Sequence, residues 1–485
     1  MGPTFLVVAA IYFAAIAGIS AWGYFRTRTE VDFIAAGRSI GPIVGGAVLT
    51  ATQISAGTFV GTVGRHYLAG VSWWYIWFGV WAGWLVSAFF VAPKLRRFGA
   101  LTVPDYVSTR FGSKAAGALA GALIVISYTI YLVAQYQAAG EVALTVFGMR
   151  PLTAMLILVA STAFYTLLGG VRSSSYIDFL QTLIMVAALL VSVPVLLHYV
   201  GGFTPARVAL EAIDARVLGG FYGVRELIAV GVSFGFSICA APYEMTRFFS
   251  MRDERTARRA IYVAIGFQVV IGLCVLAIGM LMRVLFPNLP SQDLASSVMA
   301  FEVLPPILGA LLLIAMLSAI MSTVNSILLV VGAGVAHDLY GKLFRPAATQ
   351  GHLVFVNRLA MLALAVVPIW FALQKYGDVQ AVVVEQAKFV ASFFFVPVVV
   401  GLNWRKGTAA SAIAAMLGGF LACLMWEFTG QRTFPRHGVD AVEVGILTSF
   451  LLFFVVSRRT RPVPEKNVRV FFPDEGGSSS APGPS

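Results

Sequence analysis

Charge is scarce in this sequence. Asp, Glu, Lys and Arg make up 12% of its 485 residues, about half the share of an ordinary soluble chain, which excludes a soluble enzyme and a disordered protein. Cysteine is scarcer still. Cys239, Cys274 and Cys423 lie far apart inside apolar runs, so they form neither a thiolate metal spacing nor a disulfide pattern, and they read as small buried apolar side chains. No His, Cys or carboxylate cluster of catalytic spacing appears among the five histidines and 22 acids, so the chain is not read as an enzyme. Also missing is alternation every second residue: a stretch such as LIMVAALLVSVPVLL is apolar throughout, which excludes an outer-membrane barrel.

Apolar residues fill the space. They are 59% of the chain, with a mean hydropathy of +0.85. Runs of span length predict thirteen transmembrane helices, at about 4–24, 42–62, 71–93, 117–139, 152–169, 176–199, 227–248, 260–282, 307–335, 354–374, 380–402, 409–429 and 441–457. The expected fold is an all-α polytopic membrane protein, with a transmembrane domain over 1–457. A polar tail over 458–485, ending GGSSSAPGPS, is expected to be disordered and cytoplasmic. The first apolar run is long enough to span and has no basic leader, so it is read as a helix and not a signal peptide.

The net charge of +12 is a topology signal, not a nucleic-acid footprint. When connections are assigned alternately to two sides, 24 of the 34 Lys and Arg fall on one side and nine on the other, with Lys388 inside a span. The positive-inside rule then places the N-terminus outside and the C-terminus in the cytoplasm of a cell membrane. The partners implied are the lipid bilayer and a small-molecule solute, with no nucleic acid and no protein partner.

Three segments are too polar for lipid-facing helices: LTATQISAGTFVG (Leu49 to Gly61), LLGGVRSSSYIDFLQ (Leu167 to Gln181) and LSAIMSTVNSILL (Leu317 to Leu329). Small and hydroxylated residues in membrane helices often serve packing alone. The spacing in the third adds something. The carbonyl of Ala319 and the hydroxyls of Ser322 and Thr323 share one face of a helix, giving hard oxygens that suit a small hard cation such as Na+. The Gly- and Thr-rich middle of the first segment would complete such a shell by unwinding and freeing carbonyls.

On these three segments the chain resembles the sodium:solute symporter family. The resemblance continues through FIAAGRSIG (Phe33 to Gly41), YEMTRFFSMRDERTARRA (Tyr243 to Ala260), VLPPILGALLLIAMLSAIMST (Val303 to Thr323) and VVVGLNWRKGTAASA (Val398 to Ala412). It implies a LeuT-like five-plus-five inverted repeat with flanking helices and Na+ as coupling ion. The ion would be held by the carbonyls of Ala51, Ile54 and Ala319 and the hydroxyls of Ser322 and Thr323. Some members hold a second sodium, which here would lie near Asp178, Asn325 and Ser326. Asp178 also reads as a helix cap or a partner of Arg172, and Glu244 as a salt-bridge partner of Arg247.

Gln53 stands where some members carry an Asp linked to sodium coupling, and a neutral amide cannot do what that charge does. Gln53 and Thr58 are candidates for substrate contact or for plain packing. Tyr131, Gln135, Phe234 and Ser237 occupy segments that contact substrate in the family. Lys388, three residues after Glu385 in one helix, either pairs with it or faces the cavity and attracts an anion.

The implied function is sodium-coupled import of a small polar solute. The pattern YTLLGGVRSS with AIMSTVN lies nearer the pantothenate and small-carboxylate members, which points to an anion. Sugar, sialic acid and proline symport are alternatives. A membrane sensor without transport is the reading from another class, and it has only residues 458–485 in which to place a signalling domain.

Overall fold

The structure, a computed structural model, describes residues 2–27, 32, 35–99, 102–345, 347–375, 377–429 and 439–472. Among these the chain is helical almost throughout. One isolated bridge, Ile40 to Met251, is the only extended pairing.

A peripheral helix α1 (Gly2–Arg26) precedes two groups of five spans. The first group opens with a broken span, α2 (Pro42–Gln53) and α3 (Val63–Ala69). It continues with α4 (Ile76–Val86), α5 (Lys114–Phe147), α6 (Pro151–Leu167) and α7 (Gly170–Val200). The second also opens broken, as α8 (Val224–Ala240) and α9 (Pro242–Ser250). Then follow α10 (Glu254–Leu285), α11 (Pro306–Ala333), α12 (Gln350–Ala372) and α13 (Val379–Phe394). Two further helices, α14 (Ala409–Phe428) and α15 (Ala441–Arg459), pack on each other and on α13.

Among the described residues eleven helices are long and apolar enough to cross a membrane. The thirteen expected from hydropathy differ at two places. Pro151–Leu167 is a shorter apolar helix, and α2, at 12 residues, does not reach span length, while α3 and α4 fall within one apolar helical stretch, Gly57–Phe98. Between α6 and α7 the chain turns at Gly170, whose φ of 55° and ψ of −150° no L side chain adopts readily. The expected tail also begins later than Arg458. Residues Glu465–Arg469 form a helix, Phe471 packs against Phe98 with the rings tilted by 42°, and Asn467 Nδ2 donates to the Thr109 carbonyl at 2.8 Å. The tail beyond 472 lies outside the described residues, as do Phe33, Ile34, Arg28, Arg432 and Arg436.

The two helix breaks repeat each other. Ile54 has φ −70° and ψ 112°, and Ala241 has φ −66° and ψ 115°. At the second, Pro242 disfavours the helical conformation at the residue before it. The first has no proline and is held by side chains instead. Ser55 Oγ accepts from the Gly57 N–H at 3.0 Å, and Gln135 Oε1 accepts from the Ala56 N–H at 3.0 Å. Backbone groups freed at membrane depth need such partners.

Glycine sets the approach of α8 to α4. Gly79 and Gly83 face Gly231 and Gly235, and a Cβ on Gly79 would meet the Gly231 carbonyl at 2.3 Å. This is the small-residue crossing common in membranes, and it carries α8 in against the centre. There α11 is buried almost from end to end.

Six ion pairs mark the two opposite ends of the bundle. One holds Arg97–Glu254, Arg172–Asp32 and Arg405–Glu465. The other holds Arg65–Asp378, Arg225–Glu443 and Lys375–Glu141.

Candidate functional site

Where α2 stops at Gln53, its last carbonyls lose their helical donors. The Ile54 N–H still reaches the Thr50 carbonyl at 2.7 Å, but the next two carbonyls turn to α11. Ser322 Oγ donates to the Ala51 carbonyl at 2.8 Å and also lies 3.1 Å from the Ala319 carbonyl. Thr323 Oγ1 donates to the Thr52 carbonyl at 3.3 Å. Ala51, Ala319, Ser322 and Thr323 are all fully buried, and Ile54 nearly so. Ser322 Oγ is thus within hydrogen-bond distance of two of the other four expected oxygens, Ile54 sits at the break beside them, and the set consists of neutral hard oxygens. That chemistry fits Na+.

One turn further along α11 the second expected group comes together, but around an arginine. Arg247 Nη2 lies 2.9 Å from Asp178 Oδ2 and also donates to Ser326 Oγ. Asn325 Oδ1 accepts from Thr166 Oγ1 at 2.8 Å, and its amide nitrogen donates to Ser174 Oγ. Arg172 pairs with Asp32 rather than Asp178. Glu244 does not pair with Arg247: it is fully buried, and neither carboxyl oxygen has a hydrogen-bond partner.

Between the two helix breaks lies a cavity of about 50 Å³. Of the seven residues expected to touch substrate, five line it: Gln53, Thr58, Tyr131, Phe234 and Ser237. Gln53 Oε1 is held by the Trp84 indole N–H at 2.6 Å and by Gln268 Nε2 at 2.9 Å. Tyr131 donates to Ser55 Oγ at 3.2 Å. Gln135 is not in the lining, since its side chain braces the first break. Lys388 is not there either, which overturns the reading of it as an anion contact. Its Nζ lies 2.9 Å from Glu427, 3.0 Å from Glu385 and 3.6 Å from Asp440, bound between α13, α14 and α15. The cavity face of α13 is formed by Gln380, Val383, Gln386 and Ala387. Lys388 is one residue past Ala387, hence about 100° round the helix.

The sequence reading missed Gln380, Gln386, Trp77 and Tyr243. The signal that carries the two glutamines is the helical projection of α13, in which Gln380, Val383, Gln386 and Ala387 turn to one side. Above the cavity, Arg65 binds Asp378 at 2.7 Å and the Tyr222 hydroxyl at 3.1 Å, closing α3 against α13. A larger cavity, about 660 Å³, lies beside the crossing of α4 and α8, lined by Ala82, Val86, Leu227, Ile228, Phe236 and Phe395 among others. Its walls are mostly apolar, so it offers little to a hydrophilic solute. Tertiary packing also gathers Asp105, His337 and Asp338 to within 4.8 Å at the Arg405 end, a grouping no sequence spacing announced.

A model of the Sodium:solute symporter family matches residues 33–419. The high-affinity proline transporter PutP of Bacillus subtilis is 27% identical over 92% of this chain and 97% of its own. A sodium/proline symporter of Staphylococcus aureus is 28% identical over 94% of this chain and 92% of its own. A solved Na+-coupled sialic acid symporter, outward-open with substrate bound, superposes with a TM-score of 0.82 at 15% identity, covering 95% of this chain and 99% of that one. A nucleobase-cation-symport-1 transporter superposes with a TM-score of 0.55 at 13% identity, covering 91% of this chain and 98% of its own.

Proposed function

Because the chain belongs to the sodium:solute symporter family, and is a multi-pass membrane protein that couples solute transport to Na+, we propose that its solute is a small zwitterion of the proline type. The observation that carries this is the cavity lining. It holds hydroxyls, amides and aromatic rings, and no charged side chain among the lining residues. Opposite partial charges come instead from the broken helices: amide ends start at Gly57 and Pro242, and carbonyl ends stop at Gln53 and Ala240. A zwitterion, with both charges on one small molecule, matches such a lining. A lone carboxylate would need a cation, and Lys388 is turned away. The names of the proline-transporting relatives support the same choice.

In this reading Na+ is held by the carbonyls of Ala51, Ile54 and Ala319 and the hydroxyls of Ser322 and Thr323. It would join α2 to α11 while the solute joins α4 and α8 to α13. Both ligands then bias one equilibrium between open and closed arrangements, and each strengthens the other by the same factor. The Arg405 end faces the cytoplasm of the cell membrane and the Arg65 end faces outside, as the basic residues require. Inward movement of each Na+ gains about 2.3 kcal/mol per 100 mV.

The test is uptake by proteoliposomes carrying an inward Na+ gradient. Labelled proline should accumulate only with Na+, and lactate, pantothenate, glucose and sialic acid should compete poorly. Stronger competition by lactate or pantothenate than by unlabelled proline rejects the zwitterion. Binding without accumulation favours a sensor.

A further inference from the structure

We propose that Arg247 is a built-in cation standing where Asp178, Asn325 and Ser326 would otherwise gather a second ion, so that this protein moves one Na+ with each solute. The proposal rests on the sodium-coupled reading above and concerns how many ions it takes.

Of the side-chain oxygens of that locus, Asp178 Oδ1 alone lacks a hydrogen-bond partner, and the others are already used. Asp178 Oδ2 accepts from Arg247 Nη2 at 2.9 Å and from Ser174 Oγ at 3.3 Å. Ser326 Oγ accepts from the same guanidinium nitrogen and donates to the Ser322 carbonyl at 2.9 Å. Asn325 turns its amide nitrogen toward Ser174, while its oxygen is taken by Thr166. Ser174 Oγ is also 3.4 Å from both terminal nitrogens of Arg247. The carboxylate and the hydroxyl are therefore held by a guanidinium, and the amide is joined to it only through Ser174.

The charge is permanent and enclosed. The side chains of Arg247 and Asp178 are 2% and 0% exposed, and an arginine stays protonated in proteins. Ser326 lies one turn from Ser322 on α11, so the guanidinium sits about one helical pitch from the sodium oxygens. A second free cation at this locus would meet the arginine within contact distance and the first Na+ one turn away, in surroundings that screen neither. The arginine also links the two ion-site helices. It contacts Ser326 on α11, whose hydroxyl lies 3.2 Å from Thr52 Oγ1 on α2. Unlike an ion, it cannot leave with the solute, so its charge is not transported.

The test counts ions on the purified, reconstituted full chain, using 22Na+ binding at equilibrium and paired 22Na+ and labelled proline fluxes. The wild type should bind one Na+ per chain and carry one per proline, with a Hill coefficient for Na+ near one. Arg247→Gln removes the charge and frees Asp178. It should bind a second Na+, with the Hill coefficient rising toward two. Arg247→Lys and the double variant Arg247→Gln/Asp178→Asn should each remain at one. Should Arg247→Gln fail to fold, Asp178→Asn alone decides: it should still bind one Na+, with half-saturation within about threefold of wild type. Two Na+ bound by the wild type, or loss of the single Na+ in Asp178→Asn, overturns the proposal while leaving sodium coupling intact. A count of zero in the wild type removes the sodium reading and this proposal together.

Discussion

Ser322→Ala tests the sodium site most directly. The Ser322 hydroxyl lies 2.8 Å from the Ala51 carbonyl and 3.1 Å from the Ala319 carbonyl, with all three residues fully buried. Its removal takes one oxygen from a set of five. A hydrogen-bond-like contact to a charged group contributes about 1.5–3 kcal/mol, and every 1.4 kcal/mol is tenfold. Half-saturation for Na+ should therefore rise about 10- to 100-fold. Without Na+ the same change strands the Ala51 carbonyl, at a cost of about 1–3 kcal/mol. The assay is 22Na+ binding without solute, since solute affinity is linked to Na+ and would blur the reading. Thermal unfolding at rising Na+ concentration supplies a second measure, because a bound ion stabilises by RT ln(1 + [L]/Kd). Ser237→Ala, in the solute cavity, is the control and should leave Na+ binding in the absence of solute within about twofold. If both Ser322→Ala and Thr323→Ala retain wild-type half-saturation, the assigned oxygens are not the sodium site.

Three other outcomes are expected. Lys388→Gln leaves Glu385, Glu427 and Asp440 without their shared cation. It should cost roughly 3 kcal/mol of stability, allowing for the partial exposure of Glu385; weaker proline binding at an unchanged Tm would return Lys388 to the cavity. Burial pushes the Asp293 carboxyl up to about 6, against the pull of the Val379 N–H, with Asp378 and Glu141 adding to the rise and Arg65 opposing it. The closed arrangement thus binds this proton more readily than one where Asp293 meets water. Its advantage is complete below pH about 4, is lost as pH rises through 6 and is constant above. Uptake should slow as external pH falls from 7 to 5, and Asp293→Asn should flatten that profile; an identical profile in the variant refutes the assignment. Cysteines placed at Arg225 and Lys375 should react with an impermeant thiol reagent in intact cells, whereas those at Arg255 and Arg405 should not, and the reverse pattern inverts the orientation.

The sequence by itself determined the solvent of this protein, most of its spans and its coupling ion. Hydropathy is a local property of the chain, so α1, α10 and α11 are legible without any partner. The second break was not legible in this way: the apolar run 227–248 passes through Pro242, and Pro194 and Pro368 stand inside helices, so a proline alone does not mark a break. The face shared by Ala319, Ser322 and Thr323 follows from helical spacing alone. Tertiary structure decided which polar groups meet. Arg247 had Glu244 one turn away on its own helix, yet it pairs with Asp178 on α7. Lys388 had Glu385 nearby, but it also meets Glu427 and Asp440 on helices that packing alone brings beside it. The first break depends on Gln135 from α5, which no local pattern links to Ala56. The physical reason is common to all three. Spacing along a helix fixes which residues share a face, but not toward which neighbour that face turns. In an apolar interior, a buried charge takes its partner from whichever helix the packing sets against it.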